Sequence, residues 1–83
     1  MHTFFTYILF SSSKNKFYVG STNNLERRLS EHNSGQNKST KFGIPWKLIY
    51  SKEFYSKSEA ILLESKIKKR GIARFLNENL TSG

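Results

Sequence analysis

The chain has 83 residues, carries 14 Lys+Arg against 6 acidic residues for a formal net charge of +8, and has a sequence pI near 10.0. That length holds one domain, which at this size withdraws only about 60–65% of the surface its unfolded form exposes, so its core is thin. The absence of cysteine excludes a disulfide framework and a thiolate zinc site, and no apolar run approaches the ~20 residues of a membrane helix.

FFTYILF, residues 4–10, is aromatic and β-branched and predicts a strand buried on at least one face. The start of the chain, MHTFFTYILF, has neither a basic leader nor a small-residue cleavage site, so it reads as a strand of the mature domain rather than a signal peptide. SSSKN is a polar turn, and KFYVGS at residues 16–21 is a second strand, so the two are expected to form an antiparallel hairpin. Alternation puts Tyr7 on one face with Phe5 and Leu9, and Tyr18 with Lys16 and Gly20. Asn23 or Asn24 is a natural N-cap for a short helix from Leu25 to about Asn33, ending near Gly35. A polar, basic loop, SGQNKSTKFGIP, follows and is closed by the only proline. WKLIYSKEF, residues 46–54, is the third strand. Ser56 with Glu59 three residues on is a capping box, opening a helix that runs to Arg70 and stops at Gly71. The tail IARFLNENL supports a short last helix through Ile72, Phe75, Leu76 and Leu80. The order β-β-α-β-α, with that last helix, predicts an α+β domain: a small, mostly antiparallel sheet covered by helices. It is expected to occupy residues 1–83 as one unit, with a core at about 4–76 and a tail at 77–83.

Helix geometry sorts the polar residues. Leu25 and Leu29, four apart, define the buried stripe of the first helix, and Arg28 and His32 lie beside it as neighbours, again four apart. Arg27 points the other way, toward water, where it can pair with Glu31. The plain alternative for Arg28 is an aliphatic stem lying over the core with its charge in solvent. On the second helix, Ala60, Ile61, Leu63 and Ile67 form one apolar arc, and Glu64 falls inside it. A carboxylate there is costly unless paired, hydrogen-bonded or metal-bound. The competing explanation is an i,i+4 pair of Glu64 with Lys68.

All six acids are glutamates (Glu26, Glu31, Glu53, Glu59, Glu64 and Glu78), so a two-metal site built on clustered aspartates is excluded. Glu64 is the best metal-ligand candidate. Tyr7, Tyr18, Tyr50 and Tyr55 would ordinarily be core residues with hydroxyls at the rim. Tyr7 and Tyr18 differ in lying on hairpin partners beside a glycine and an arginine-bearing helix. His2 is terminal and has no evident role. A surface this cationic is expected to meet phosphate, on nucleic acid or on anionic lipid. Arg27, Lys38, Lys41 and Lys68, with Lys47, Lys66, Lys69 and Arg70, can track a phosphate backbone or simply be solvated.

The segments FTY at residues 5–7, YVG at 18–20, NLERRLSEH and SEAILLESKIKK, in this order and spacing, resemble the GIY-YIG endonucleases, in particular small stand-alone bacterial members. The resemblance runs from Phe4 to about Leu76. It implies a three-stranded antiparallel sheet flanked by helices and hydrolysis of DNA phosphodiesters with one divalent ion, Mg²⁺ or Mn²⁺. By motif position Tyr7 and Tyr18 match the two family tyrosines, Arg28 the helix arginine, His32 the histidine one turn later, and Glu64 the metal-binding glutamate. The first motif departs from the family name, with Phe5-Thr6 in place of Gly-Ile, and the late asparagine of the family has two candidates, Asn77 and Asn79.

The chemistry these residues would supply follows. Glu64 alone can anchor Mg²⁺, which takes one or two carboxylates together with water and phosphate oxygens. Arg28 can hold a non-bridging oxygen against charge growing in the transition state. Tyr7 would activate the water, its pKa pulled down by a cationic site of metal and arginine, with Tyr18 and His32 orienting it; Tyr18 can hold the base role instead. Gly20 would let the phosphate backbone approach. The expected substrate is duplex, branched or single-stranded DNA, cut with structural selectivity or weak specificity during repair or processing, by a monomer in the cytoplasm with no membrane partner. The rival is a nucleic-acid-binding module that has the nuclease fold but no useful turnover. A protein-interaction domain or anionic-membrane binder is the third class.

Overall fold

In the computed structural model, residues 3–80 are described, and they follow the local signals of the chain closely. The strand β1 spans Phe4–Ser11 and β2 spans Lys16–Thr22, joined by a turn in which Asn15 takes a positive φ of 53°, a conformation its short polar side chain tolerates. Asn24 caps the helix α1, Leu25–Asn33, its Oδ1 accepting from the Arg27 amide at 3.0 Å. The basic loop after it contains a short 3-10 turn, Lys41–Gly43, and leads into β3, Trp46–Phe54. Ser56 Oγ accepts from the Glu59 amide at the start of α2, Lys57–Arg70, and Gly71 at φ 95° ends that helix before α3, Ile72–Leu80. His2 and the last tail residues, 81–83, lie outside the described residues.

The strands form one antiparallel sheet in the order β2-β1-β3, so β1 is central. The hairpin register pairs Tyr7 with Gly20 and Leu9 with Tyr18. On one face Ile8 and Val19 pack with Ile67 of α2 and with Phe75 and Leu76 of α3. On the other, Tyr7, Leu9 and Trp46 pack with Tyr18, with Leu25 and Leu29 of α1, and with Ile44 and Leu48. A register shift between Ile8 and Leu9 leaves Ile49 as an extra residue in β3. Leu48 therefore joins the second face while Ile49 and Tyr50 both join the first. Thr6 Oγ1 donates to the Ala60 carbonyl at 2.7 Å and ties α2 to β1 one residue before Tyr7.

The apolar arc expected on α2 is narrower than its wheel suggests. Ala60 and Ile67 are buried, but Ile61 is 44% exposed. One residue from Ala60 is a 100° rotation, which carries Ile61 past the stripe that a helix can lay on a sheet this small. Among the described residues no helix is long and apolar enough to cross a membrane.

Candidate active site

Tyr7 is 2% exposed and lies at the meeting of β1, β2 and α1. Its hydroxyl lies 3.1 Å from His32 Nε2 and accepts from Arg28 Nε at 3.4 Å. Tyr18 completes the group, its ring 6.3 Å from that of Tyr7 and 4.9 Å from the His32 imidazole, centroid to centroid. The α1 geometry accounts for the choice of arginine. The Arg28 side chain is 32% exposed and turned toward the sheet, while Arg27 is 59% exposed and donates to Asn23 Oδ1 at 3.3 Å.

A Cβ at Gly20 would lie 2.7 Å from Tyr7 Oη and 3.2 Å from Tyr18 Cε2. The room left by the missing side chain is filled by the Tyr7 ring, so the glycine seats the phenol.

Burial acts on the Tyr7 phenol against the pull of its cationic neighbour. Withdrawal from water pushes the phenol up to about 12, outweighing the opposing hydrogen bond from Arg28, with Tyr18 and Glu64 adding to the rise. His32 is fully buried, and burial with the neighbouring Arg28 charge lowers its pKa, so the imidazole is neutral at pH 7. Its Nδ1 lies 2.8 Å from Thr40 Oγ1, whose own hydrogen points to the Asn37 carbonyl at 3.5 Å. One tautomer satisfies the whole line: Nδ1–H donates to Thr40, leaving Nε2 bare to accept the Tyr7 O–H. Arg28 stays cationic, its pKa raised by its bonds to Tyr7 and Glu31.

Four contributors escaped the sequence, Glu31 only in its bond to Arg28. Thr40 lies in the loop, eight residues from His32, and no local pattern links them. Trp46 Nε1 donates to the Thr40 carbonyl at 2.6 Å, and the Asn33 side chain clamps the Trp46 backbone on both sides, at 3.0 and 2.6 Å. Glu31 accepts from Arg28 Nη1 at 2.9 Å and is 3.7 Å from Arg27 Nε, so it serves both arginines rather than Arg27 alone. An i,i+3 pair is as accessible on a helix as the i,i+4 pair and was the available signal.

Glu64 is 19% exposed and holds Lys68 Nζ at 2.9 Å, so the i,i+4 pair forms. Lys68, expected along a phosphate track, is thereby engaged by Glu64, whereas Lys38 and Lys41 are exposed in the loop. Asn79 donates to the Phe75 carbonyl at 2.8 Å within its own helix. A groove of about 320 Å³ opens beside Arg28, walled by Ser21, Asn23, Arg27, Glu31 and Lys57. A second of about 390 Å³ runs from Arg28 past Asn37 to Lys38.

The domain is a three-stranded α+β fold with two tyrosines, an arginine and a histidine gathered on the face of the sheet covered by α1. The profile of the GIY-YIG catalytic domain matches residues 3–76. The chain is 38% identical over 82 residues to a UPF0213 protein of Streptococcus pneumoniae serotype 4, covering 94% of this chain and 82% of the relative. It is 46% identical over 65 residues to the UPF0213 protein YsiG of Lactococcus lactis, covering 77% and 62%. The solution NMR structure of a UPF0213 protein from Bacillus halodurans superposes with a TM-score of 0.54 at 32% identity, covering 96% of this chain and 83% of that one. The chain belongs to the GIY-YIG family.

Proposed function

We propose that the chain is a DNA endonuclease, dependent on Mg²⁺ or Mn²⁺, that hydrolyses phosphodiester bonds with structural or weak sequence selectivity in DNA repair or processing. The observation that carries the reading is the line Arg28–Tyr7–His32–Thr40: a phenol held between a permanent cation and a neutral imidazole whose Nε2 accepts the phenol hydrogen.

Glu64 is the residue that would hold the ion. A hard divalent ion can be held by a single protein carboxylate together with water and phosphate oxygens. When bound, the ion supplies charge stabilisation at the phosphate and the leaving oxygen. Arg28 exchanges Glu31 for a non-bridging phosphate oxygen and keeps its Nε on Tyr7. A water gives its proton to Tyr7 Oη as Tyr7 passes its own to His32 Nε2, and the resulting hydroxide attacks phosphorus. A phenol with a pKa near 12 needs that outlet, because it does not ionise by itself at neutral pH. Tyr18 orients the water from the rim. Arg27 and Lys57 on one side of Arg28, and Lys38 on the other, provide the path for flanking phosphates.

One observation favours a second reading, binding without turnover: the Lys68 ammonium already neutralises Glu64. Glu64→Gln separates the two. The variant is expected to keep DNA affinity and, since an i,i+4 helix pair contributes only about 0.2–0.5 kcal/mol, to melt almost unchanged. Cleavage of single-stranded, duplex or branched DNA with Mg²⁺ or Mn²⁺ is expected to disappear. Wild-type protein that binds these substrates and cuts none establishes the binding module. Retained cleavage in a variant with a lowered melting temperature makes Glu64 a structural partner of Lys68.

A further inference from the structure

A cleft of about 400 Å³ is lined by Tyr18, Phe42, Gly43 and Trp46 together with Lys14 and Lys16. We propose that this cleft receives an unpaired base of the DNA strand, beside the phosphate held at Arg28. The proposal rests on the nuclease reading and names the form of substrate that its site selects.

The walls are aromatic and rigid. The Trp46 indole is fixed by its N–H bond to the Thr40 carbonyl and lies against Gly43, where any Cβ would overlap the ring. The Tyr18 ring stacks edge-on toward Trp46 at 6.3 Å and also touches His32, so one side chain is shared between the cleft and the catalytic group. Phe42 is 72% exposed, carried outward by the 3-10 turn, with Lys41 Nζ 5.4 Å from its ring centroid. A large aromatic held in water next to fixed aromatic walls is a stacking platform in search of a flat, apolar face.

Charge selects the occupant. Lys14 and Lys16 line the cleft and Lys41 lies over the Phe42 ring, which suits a base attached to a phosphate backbone. A second copy of this chain would bring its own +8 against the same lysines. A base inside a duplex is stacked and paired, and must be unstacked before it can enter, whereas a single strand, flap or bulge offers it freely. The cleft therefore selects DNA with unpaired nucleotides at the cut.

The test reads binding, with metal omitted, by fluorescence anisotropy on an oligonucleotide of about 12 nucleotides and on a hairpin duplex of the same sequence. The oligonucleotide carries 2-aminopurine at successive positions, because the emission of that base is quenched when it stacks on an aromatic ring. Wild-type protein is expected to prefer the single strand and to quench 2-aminopurine on binding. Phe42→Ala is expected to lower single-strand affinity about tenfold and relieve the quenching while leaving duplex affinity unchanged, and Phe42→Tyr to restore both. Equal losses on strand and duplex, no quenching, or a Phe42-dependent dimer in sedimentation would overturn the proposal. Quenching that depends on Phe42 in a protein that cuts nothing keeps this inference and discards the nuclease reading. Cleavage of strand and duplex alike, indifferent to Phe42→Ala, does the reverse.

Discussion

Tyr7 and Ile8 are neighbours in β1, both withdrawn from water, and they head the two faces of the same sheet. Ile8 needs only apolar atoms around it, and Val19, Ile67, Phe75 and Leu76 provide them without regard to direction. Tyr7 also carries a hydroxyl, and burying it requires partners at fixed distances, found in Arg28 on α1 and in His32, itself dependent on Thr40 in the following loop. The apolar face is built for stability and tolerates repacking, whereas the polar face is a chain of single dependencies.

Substitutions on the two faces separate stability from activity. The largest effect is expected from Ile67→Ala, which opens a cavity in the apolar face and lowers stability by about 2–5 kcal/mol. Denaturant unfolding measures that loss, and cleavage per folded molecule at low temperature stays near wild type. Arg28→Ala inverts the pattern. It removes a charge-stabilising donor and is expected to reduce kcat by about 100- to 1,000-fold, whereas Arg27→Ala weakens binding and leaves kcat within a few-fold. Equal damage from both arginines would erase the distinction that their exposures imply.

Thr40→Val tests the dependency chain at its far end. It leaves the His32 Nδ1–H buried without an acceptor and is expected to cost about 1–3 kcal/mol in chemical denaturation, with cleavage reduced as well. Thr40→Ser, which keeps the oxygen, is expected to recover both.

The smallest effect is in pH dependence. Burial lowers the His32 pKa in the folded state, so below about pH 6.5 the unfolded chain binds more protons than the native one. The His32 contribution to stability is complete above that pH and is lost as pH falls through it. The melting temperature is expected to decline from about pH 7 to 5.5, and His32→Asn to flatten that slope. Tyr50, the phenol on the apolar face, has its pKa raised by burial and does not titrate in this range, so Ile67→Val is expected to leave the slope intact.

Much of the fold was legible because its signals act over a few residues. An asparagine before Leu25, a serine three residues before Glu59, a glycine after Arg70 and the alternation of the hairpin each constrain local backbone, and the elements begin and end at them. The same periodicities separated Arg28 from Arg27 and drew attention to Glu64. Contacts between elements decided the rest. The bulge at Ile49 assigns Leu48 and Tyr50 to opposite faces, the width of the sheet leaves Ile61 in water, and the Tyr7 ring occupies the space at Gly20. Burial of the Tyr7 hydroxyl raises its pKa against the pull of Arg28, and the loop brings Thr40 to His32. Periodicity specifies which way a side chain leaves its own element. What it meets, and how much water remains there, depends on elements distant in the chain, so the tertiary structure alone determined the electrostatics of the site.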